Sequence, residues 1–402
     1  MQFKGSPQAT LGMELELQLL DPKTLDLVDG ILPLMAEYPP CPWIKPEYNQ
    51  ATVEIISKVC SNIEELEAHT YSVLATLQAR CQALGMTLCG AGTHPFCNRL
   101  VAMTPLTRHL DQYEMAGYSA HLVTFAEHVH VGMLSGDEAV EIMGRLKPYL
   151  PVLLALSASS PFWWGHDTRY VSYRQRLLAS RQTYGIPPRF KTWREFTEFF
   201  DSAKYAKIVD TIRDLHWDLR LQPDLGTLEV RVMDAQPTLK ESIMLAAFVH
   251  MLIVYLQCCC RGRKSGFLLA PHHWCLEKEN YFRASRLGLE ANYIEDEQGH
   301  SRPIKAVITD ILEALNTTAD QLGETKYLNL VKKHLESMPS YLRQRQIFQR
   351  SQSVKAVVAS LVRELQEETP RFPIFPLPVY IRGDEAQNYV TSQYCCGLPD
   401  FS

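Results

Sequence analysis

Polar and apolar residues alternate along Leu11–Leu20, LGMELELQLL. Read with a period of two, Glu14, Glu16 and Gln18 share one face of a strand, and Met13, Leu15, Leu17 and Leu19 share the other. Three later stretches repeat the design. Residues 51–56, ATVEII, set Thr52, Glu54 and Ile56 against Val53 and Ile55. Residues 127–132, EHVHVG, set His128 and His130 against Val129 and Val131. Residues 226–234, GTLEVRVMD, set Thr227, Glu229, Arg231 and Met233 against Leu228, Val230 and Val232. Each predicts a short strand with an apolar back. Together they predict one sheet whose polar face is an active site.

Between and after these strands the period changes. Residues 62–84 have helical spacing, with Ile63, Leu66, Val73, Leu74 and Leu77 on one stripe and Ser61 as the N-cap. Residues 137–156 and 192–210 also read as helices. Residues 86–89 predict a short strand running into the loop AGTHP, which carries Thr93 and His94. Residues 214–220, DLHWDLR, predict a strand that turns through Pro–Asp–Leu–Gly into the Glu229 strand, making a hairpin. Residues 243–260, IMLAAFVHMLIVYLQCCC, approach the length of a membrane span. His250 and Gln257 within them favour a buried core helix, so no membrane partner is expected.

The fold class expected is α+β: a mainly antiparallel sheet carrying the active site, with helices packed on its outer face. The candidate faces run from residue 14 to residue 231, so the later helices are expected to cover the sheet. This gives a single catalytic domain over 1–402: sheet-rich about 10–235, helical about 239–370, and a Pro-rich extended tail over 370–402. The exposed faces of the last helices allow a homodimer.

Composition narrows the partners. The chain has 402 residues, is 46% hydrophobic and carries a formal net charge of −5, so it lacks the basic footprint of a nucleic-acid binder. The opening MQFKGSPQAT has no basic region followed by an apolar core, and the 11 cysteines show no paired CxxC at zinc spacing. A reducing cytoplasm with free thiols is the expectation.

Two carboxylates about 7 Å apart on one half-buried strand face repel unless a positive charge lies between them. Carboxylates joined by histidine suit Mg²⁺ or Mn²⁺. The candidate ligands are Glu14, Glu16, Glu54, His128, His130 and Glu229. Glu229 and Arg231, side by side, suit a metal-bridged polyphosphate. Arg174, Arg220, Arg283 and Arg286 are further cations near these stretches. No Walker loop and no GxGxxG is present, so a nucleotide would bind through metals and arginines across the sheet.

GMELEL, TVEI, GTHP, HVHVG, LLALSASSPFWWGHDT, SYR, HWDLR, GTLEVRVMDA and ENYFRASRLGLEA occur in an order that resembles the carboxylate–amine ligases of the glutamate–cysteine ligase type 2 family. The resemblance implies a glutamine-synthetase-like fold and ATP-dependent joining of a carboxylate to an amine through an acyl phosphate, with glutamate or a similar amino acid as substrate. It implies that Glu14, Glu16, Glu54, His128 or His130, and Glu229 bind metal. It implies that Arg231 and Arg174 contact phosphates or the acyl phosphate, that Thr93 and His94 lie near substrate, and that Arg283 and Arg286 serve substrate or phosphate. Several positions depart from the family pattern. Leu15 stands for a carboxylate, Arg169 for a glycine, Gln182–Thr183 for Trp–Pro, and Phe125–Ala126–Glu127 precede the HVH stretch where Cys–Gly is usual. Two other readings fit parts of the pattern: a metal-dependent hydrolase, and a nucleotide-binding protein with reduced catalysis.

Overall fold

The computed structural model describes residues 1–105, 122–262 and 266–367. The described residues belong to one compact unit. The Pro-rich tail expected from 370 onward lies outside the described residues.

The alternating stretches become strands of one sheet. These are β1 (Leu11–Leu20), β2 (Ile44–Pro46), β3 (Thr52–Ile56), β4 (Thr87–Cys89), β5 (Ala126–Gly132), β6 (Leu219–Gln222) and β7 (Thr227–Asp234). Their order is β2-β3-β1-β5-β7-β6, with β4 also paired to β1. All the pairings are antiparallel. β1 thus lies inside the sheet, with β3 on one side and β5 on the other.

The back of the sheet is the core. Leu15, Leu17, Val53, Ile55, Val129, Val131, Leu228 and Val230 belong to one buried apolar cluster with most of the helix Leu239–Cys260. Leu15, where the family pattern has a carboxylate, faces this core and is 1% exposed. The Leu239–Cys260 helix is long and apolar enough to cross a membrane, yet most of it is buried within the fold. Its start is capped by the Thr238 side chain, which accepts from the Glu241 N–H. The helix Ile63–Ala83 begins one residue later than expected. Asn62 is its cap, and Glu65 reaches back to the Ser61 N–H and hydroxyl.

The expected alternation fails at one place in β7. Val129 pairs with Val230 and Glu127 pairs with Met233, so Arg231 and Val232 together oppose His128. This is a bulge. It keeps Thr227, Glu229 and Arg231 on the polar face but turns Met233 into the core, against the expectation from simple alternation. It also leaves two carbonyls outside the ladder. Arg174 and Gln175 take them up: Arg174 donates to the Val232 and Arg231 oxygens at 3.3 Å each, and Gln175 donates to Val232 at 2.6 Å.

The core carries one anomalous residue. Glu127 is fully buried behind β5, and neither of its oxygens makes a hydrogen bond of ordinary geometry. Burial pushes its pKa well above the usual carboxylate range, with Ser242 the nearest group favouring ionisation. The unfolded chain therefore loses this proton at lower pH than the folded chain, and stability falls as pH rises above the unfolded value of 4.5. Glu127→Gln removes that dependence and should raise stability at pH 8 by about 1–3 kcal/mol. Urea denaturation of both proteins at pH 5 and pH 8 checks this. Equal pH dependence in the two would refute it.

Candidate functional site

The register brings the predicted polar residues together. Glu14 pairs with His128, Glu16 with Glu54, His130 with Glu229, and Arg220 with Glu229. Paired residues on neighbouring strands point to the same face. Residues distant in sequence therefore meet on the polar side of β3, β1, β5, β7 and β6.

Glu229 is the most firmly held. It is fully buried, and Arg220 grips it through Nε at 2.8 Å and a terminal nitrogen at 3.0 Å. Gln222 adds a bond at 2.7 Å, and Arg231 donates to Oε1. Burial alone would raise the Glu229 pKa, but Arg220 and then Arg231 outweigh it and hold the group well below the usual range. Arg231 has 14% of its side chain exposed and also approaches His128 Nδ1 at 3.4 Å.

Glu14 bridges the two imidazoles. His128 Nδ1 lies 3.0 Å from Oε2, and His130 Nε2 lies 3.3 Å from Oε1. Burial opposes ionisation of Glu14, yet the hydrogen bonds from His128 and then His130 pull its pKa far down. Burial, followed by the charge of Arg231, lowers the His128 pKa to about 4, so this ring is neutral. Donation from Nδ1 to Glu14 then leaves the Nε2 lone pair bare, and Nε2 has no hydrogen-bond partner. For His130, burial lowers the pKa, but Glu229 and Glu14 outweigh it and raise it. Its Nδ1 is 3.1 Å from the Thr227 hydroxyl.

Glu16 accepts a hydrogen bond of 2.6 Å from the Ala126 N–H. Burial, with Glu47 next in effect, raises its pKa to about 8. Without a cation this carboxyl holds its proton at neutral pH. Ligand atoms of Glu14, His128 and Glu229 come within 4.8 Å of one another, and so do those of Glu16, Glu54 and His128. Two overlapping sets that share His128 fit divalent cations of the Mg²⁺ or Mn²⁺ class.

Most of the other predicted site residues make contacts within the chain. Arg174 is 4% exposed, and its terminal nitrogens clamp the β7 bulge. Thr93 donates to the Phe162 carbonyl at 2.8 Å. His94 Nδ1 accepts from the Cys97 N–H at 2.9 Å while Nε2 meets the Leu25 carbonyl at 2.9 Å, so the ring pins its own loop. That loop borders the polar face because Gln18 donates to the Ala91 carbonyl at 3.1 Å. Its small residues are required: a Cβ at Gly92 would lie 2.6 Å from the Asp234 carboxyl carbon. Arg283 pairs with Glu279, and Arg286 is exposed. Both sit on the helix Trp274–Leu287, whose Tyr281 faces the sheet. At about 100° per residue, positions 283 and 286 point away from that contact.

Several residues on this face were not picked out as ligands from the sequence. Gln222 and Asp218 share the period-two face of Arg220, which is the signal that could have found them. Asp234 accepts from the Ser160 and Ser172 hydroxyls at 2.7 and 2.9 Å. The bulge turns it to this side, and alternation alone cannot predict that.

Comparisons with known proteins give the family and the fold. The model of glutamate–cysteine ligase family 2 (GCS2) matches residues 10–365. The chain belongs to this family. A protein of Trichormus variabilis named "Putative glutamate--cysteine ligase 2" is 61% identical over 369 residues, covering 92% of this chain and 95% of its own. One of the same name from Thermobifida fusca is 35% identical over 379 residues, covering 92% and 94%. Among solved structures, the glutamate–cysteine ligase of Francisella tularensis in complex with AMP aligns with a TM-score of 0.66 at 12% identity, covering 94% of this chain and 91% of that one. The bifunctional glutathione synthetase of Pasteurella multocida aligns at 0.65 with 15% identity, covering 90% of this chain and 53% of that one. The family member's α+β architecture is therefore the one found in these ligases.

The Arg220–Glu229 pair makes a stability prediction. Removing Arg220 takes the two-point grip from a buried charge and leaves Arg231 and Gln222 to hold it. Arg220→Ala should cost about 3 kcal/mol in urea denaturation, and Arg220→Lys less, because lysine cannot reproduce the two-point grip. An Arg220→Ala protein as stable as the parent would contradict this description.

Proposed function

We propose that the chain is an ATP-dependent carboxylate–amine ligase with glutamate, or an amino acid like it, as the carboxylate substrate. Family membership supports the reaction class. The single observation that carries the site is the buried polar face itself, where Glu14, Glu16, Glu54 and Glu229 crowd around His128. Crowded carboxylates of this kind favour divalent cations bound among them. Glu14, Glu16, Glu54, His128 and Glu229 would hold Mg²⁺ or Mn²⁺, with His130 as an alternative imidazole. When bound, the ions neutralise phosphate charge and polarise the group being transferred.

The chain's own groups supply the rest. Arg231 has partial access to solvent and contacts phosphate oxygens. Arg220 and Gln222 keep Glu229 ionised and oriented. Arg174 acts through the bulge and fixes the direction of Arg231. The γ-phosphoryl group of ATP passes to a carboxylate oxygen, ADP leaves, and the amine attacks the acyl phosphate carbon. Phosphate then departs.

Two measurements test this reading. ADP release from ATP and glutamate with a panel of amino acids should require Mg²⁺ or Mn²⁺ and one particular amine. Glu14→Gln should lower it by about 100-fold or more. Release in the absence of any amine or carboxylate would favour a nucleotide hydrolase instead. Separately, Glu16 must give up its proton to ligate a cation. Titration with Mn²⁺ at pH 7 should release roughly one proton per chain, read by calorimetry in buffers of different ionisation enthalpy. Glu16→Gln should abolish that release. Identical proton release in both proteins would remove Glu16 from the ligand set.

A further inference from the structure

Asp218 lies on the reactive face outside the metal-binding sets. Its carbonyl accepts from the Arg231 N–H at 2.8 Å, so it stands opposite Arg231, two residues from Arg220 on the same side. It is 5% exposed. Oδ1 is 3.1 Å from the Tyr281 hydroxyl, and Oδ2 has no hydrogen-bond partner among the described residues. A buried carboxyl oxygen left without a donor costs about 1–3 kcal/mol.

The neighbours of Asp218 accommodate either protonation state. Gln175 Nε2 donates to the Val232 carbonyl, which fixes its Oε1 as an acceptor 2.6 Å from the Tyr281 hydroxyl. With Asp218 ionised, the Tyr281 proton turns to Asp218. With Asp218 protonated on Oδ2, the Tyr281 hydroxyl stays free to donate to Oδ1 or to Gln175. No heavy atom has to move. Charged groups reach it from each surrounding element: Arg174 from its short helix, Arg231 from β7, and Lys278 from the helix that carries Tyr281. His216, two residues before it, is kept neutral, since burial and then Arg231 push its pKa well down. Burial raises the Asp218 pKa to about 6, and Tyr281 and the three cations oppose the rise. The group is ionised at neutral pH yet close to accepting a proton.

We infer that Asp218 is the general base of the amide-forming step, and that the attacking substrate arrives as an ammonium group. This rests on the ligase reading. The ammonium N–H donates to Oδ2 and passes one proton to it. The freed nitrogen lone pair forms the C–N bond to the acyl phosphate carbon. The C–O bond to phosphate breaks, phosphate leaves with the bonding electrons, and it carries off the second nitrogen proton. Asp218 returns its proton to water as product leaves.

Hydroxylamine isolates the step, because it is largely uncharged at neutral pH and needs no base. With ATP, Mg²⁺ and L-glutamate, Asp218→Asn should form the hydroxamate at a rate within a few-fold of the parent. Its turnover with the best amine among the L-amino acids should fall by about 10²–10⁴-fold. Raising the pH toward the pKa of that amine should restore much of the loss. In the parent, kcat/KM for the amine should decline as the pH falls through about 6, and this limb should be missing in the variant. Hydroxamate formation also reports that the variant is folded. Equal loss with hydroxylamine and amino acid, or no loss with either, overturns the role of Asp218 while leaving the ligase intact. A parent protein that forms no hydroxamate overturns the ligase reading, and this inference with it.

Discussion

Crowded negative charge on a buried sheet face is the constraint from which the rest of this molecule follows. β1 lies between β3 and β5, so Glu16 faces Glu54 across one ladder and Glu14 faces His128 across the other. Desolvation makes that arrangement costly, and the chain meets the cost in three ways. Arg220 and Gln222 hold Glu229 from its own hairpin. His128 and His130 converge on Glu14. Glu16 keeps its proton, with a pKa raised to about 8. The third solution is reversible, since a carboxyl that holds its proton at neutral pH gives it up when a positive charge arrives beside it.

The bulge in β7 converts this surface into a directional one. Two residues opposing His128 tilt Arg231 toward the cluster and turn Asp234 to the serines behind it. The freed carbonyls recruit Arg174 and Gln175. Gln175 in turn meets Tyr281, and Tyr281 meets Asp218. One inserted backbone residue therefore links Arg231 to the carboxyl proposed to receive the amine's proton.

Much of the fold was legible in the sequence because period-two alternation is local. The strands carrying Glu14, Glu54, His128 and Glu229 could each be read without knowledge of the others. Their shared face followed, and the antiparallel hairpin of Arg220 with Glu229 followed from the turn between them. Other roles depended on long-range contacts. Arg174 looks like a phosphate ligand until the bulge gives it carbonyls to hold. His94 looks like a substrate contact until Leu25 and Cys97 occupy both ring nitrogens. Arg283 and Arg286 share a helix with Tyr281, but they occupy the side away from the sheet. Alternation cannot show which helix face docks, or where a ladder gains a residue.

The central claim is that this face transfers phosphoryl to a carboxylate before an amide forms. The most direct test uses L-glutamate labelled with ¹⁸O in its side-chain carboxylate, with ATP, Mg²⁺ and hydroxylamine, followed by mass spectrometry of the released inorganic phosphate. The account predicts one ¹⁸O atom carried from glutamate into each phosphate. Phosphate bearing no label from glutamate, with its added oxygen drawn from water, would contradict it.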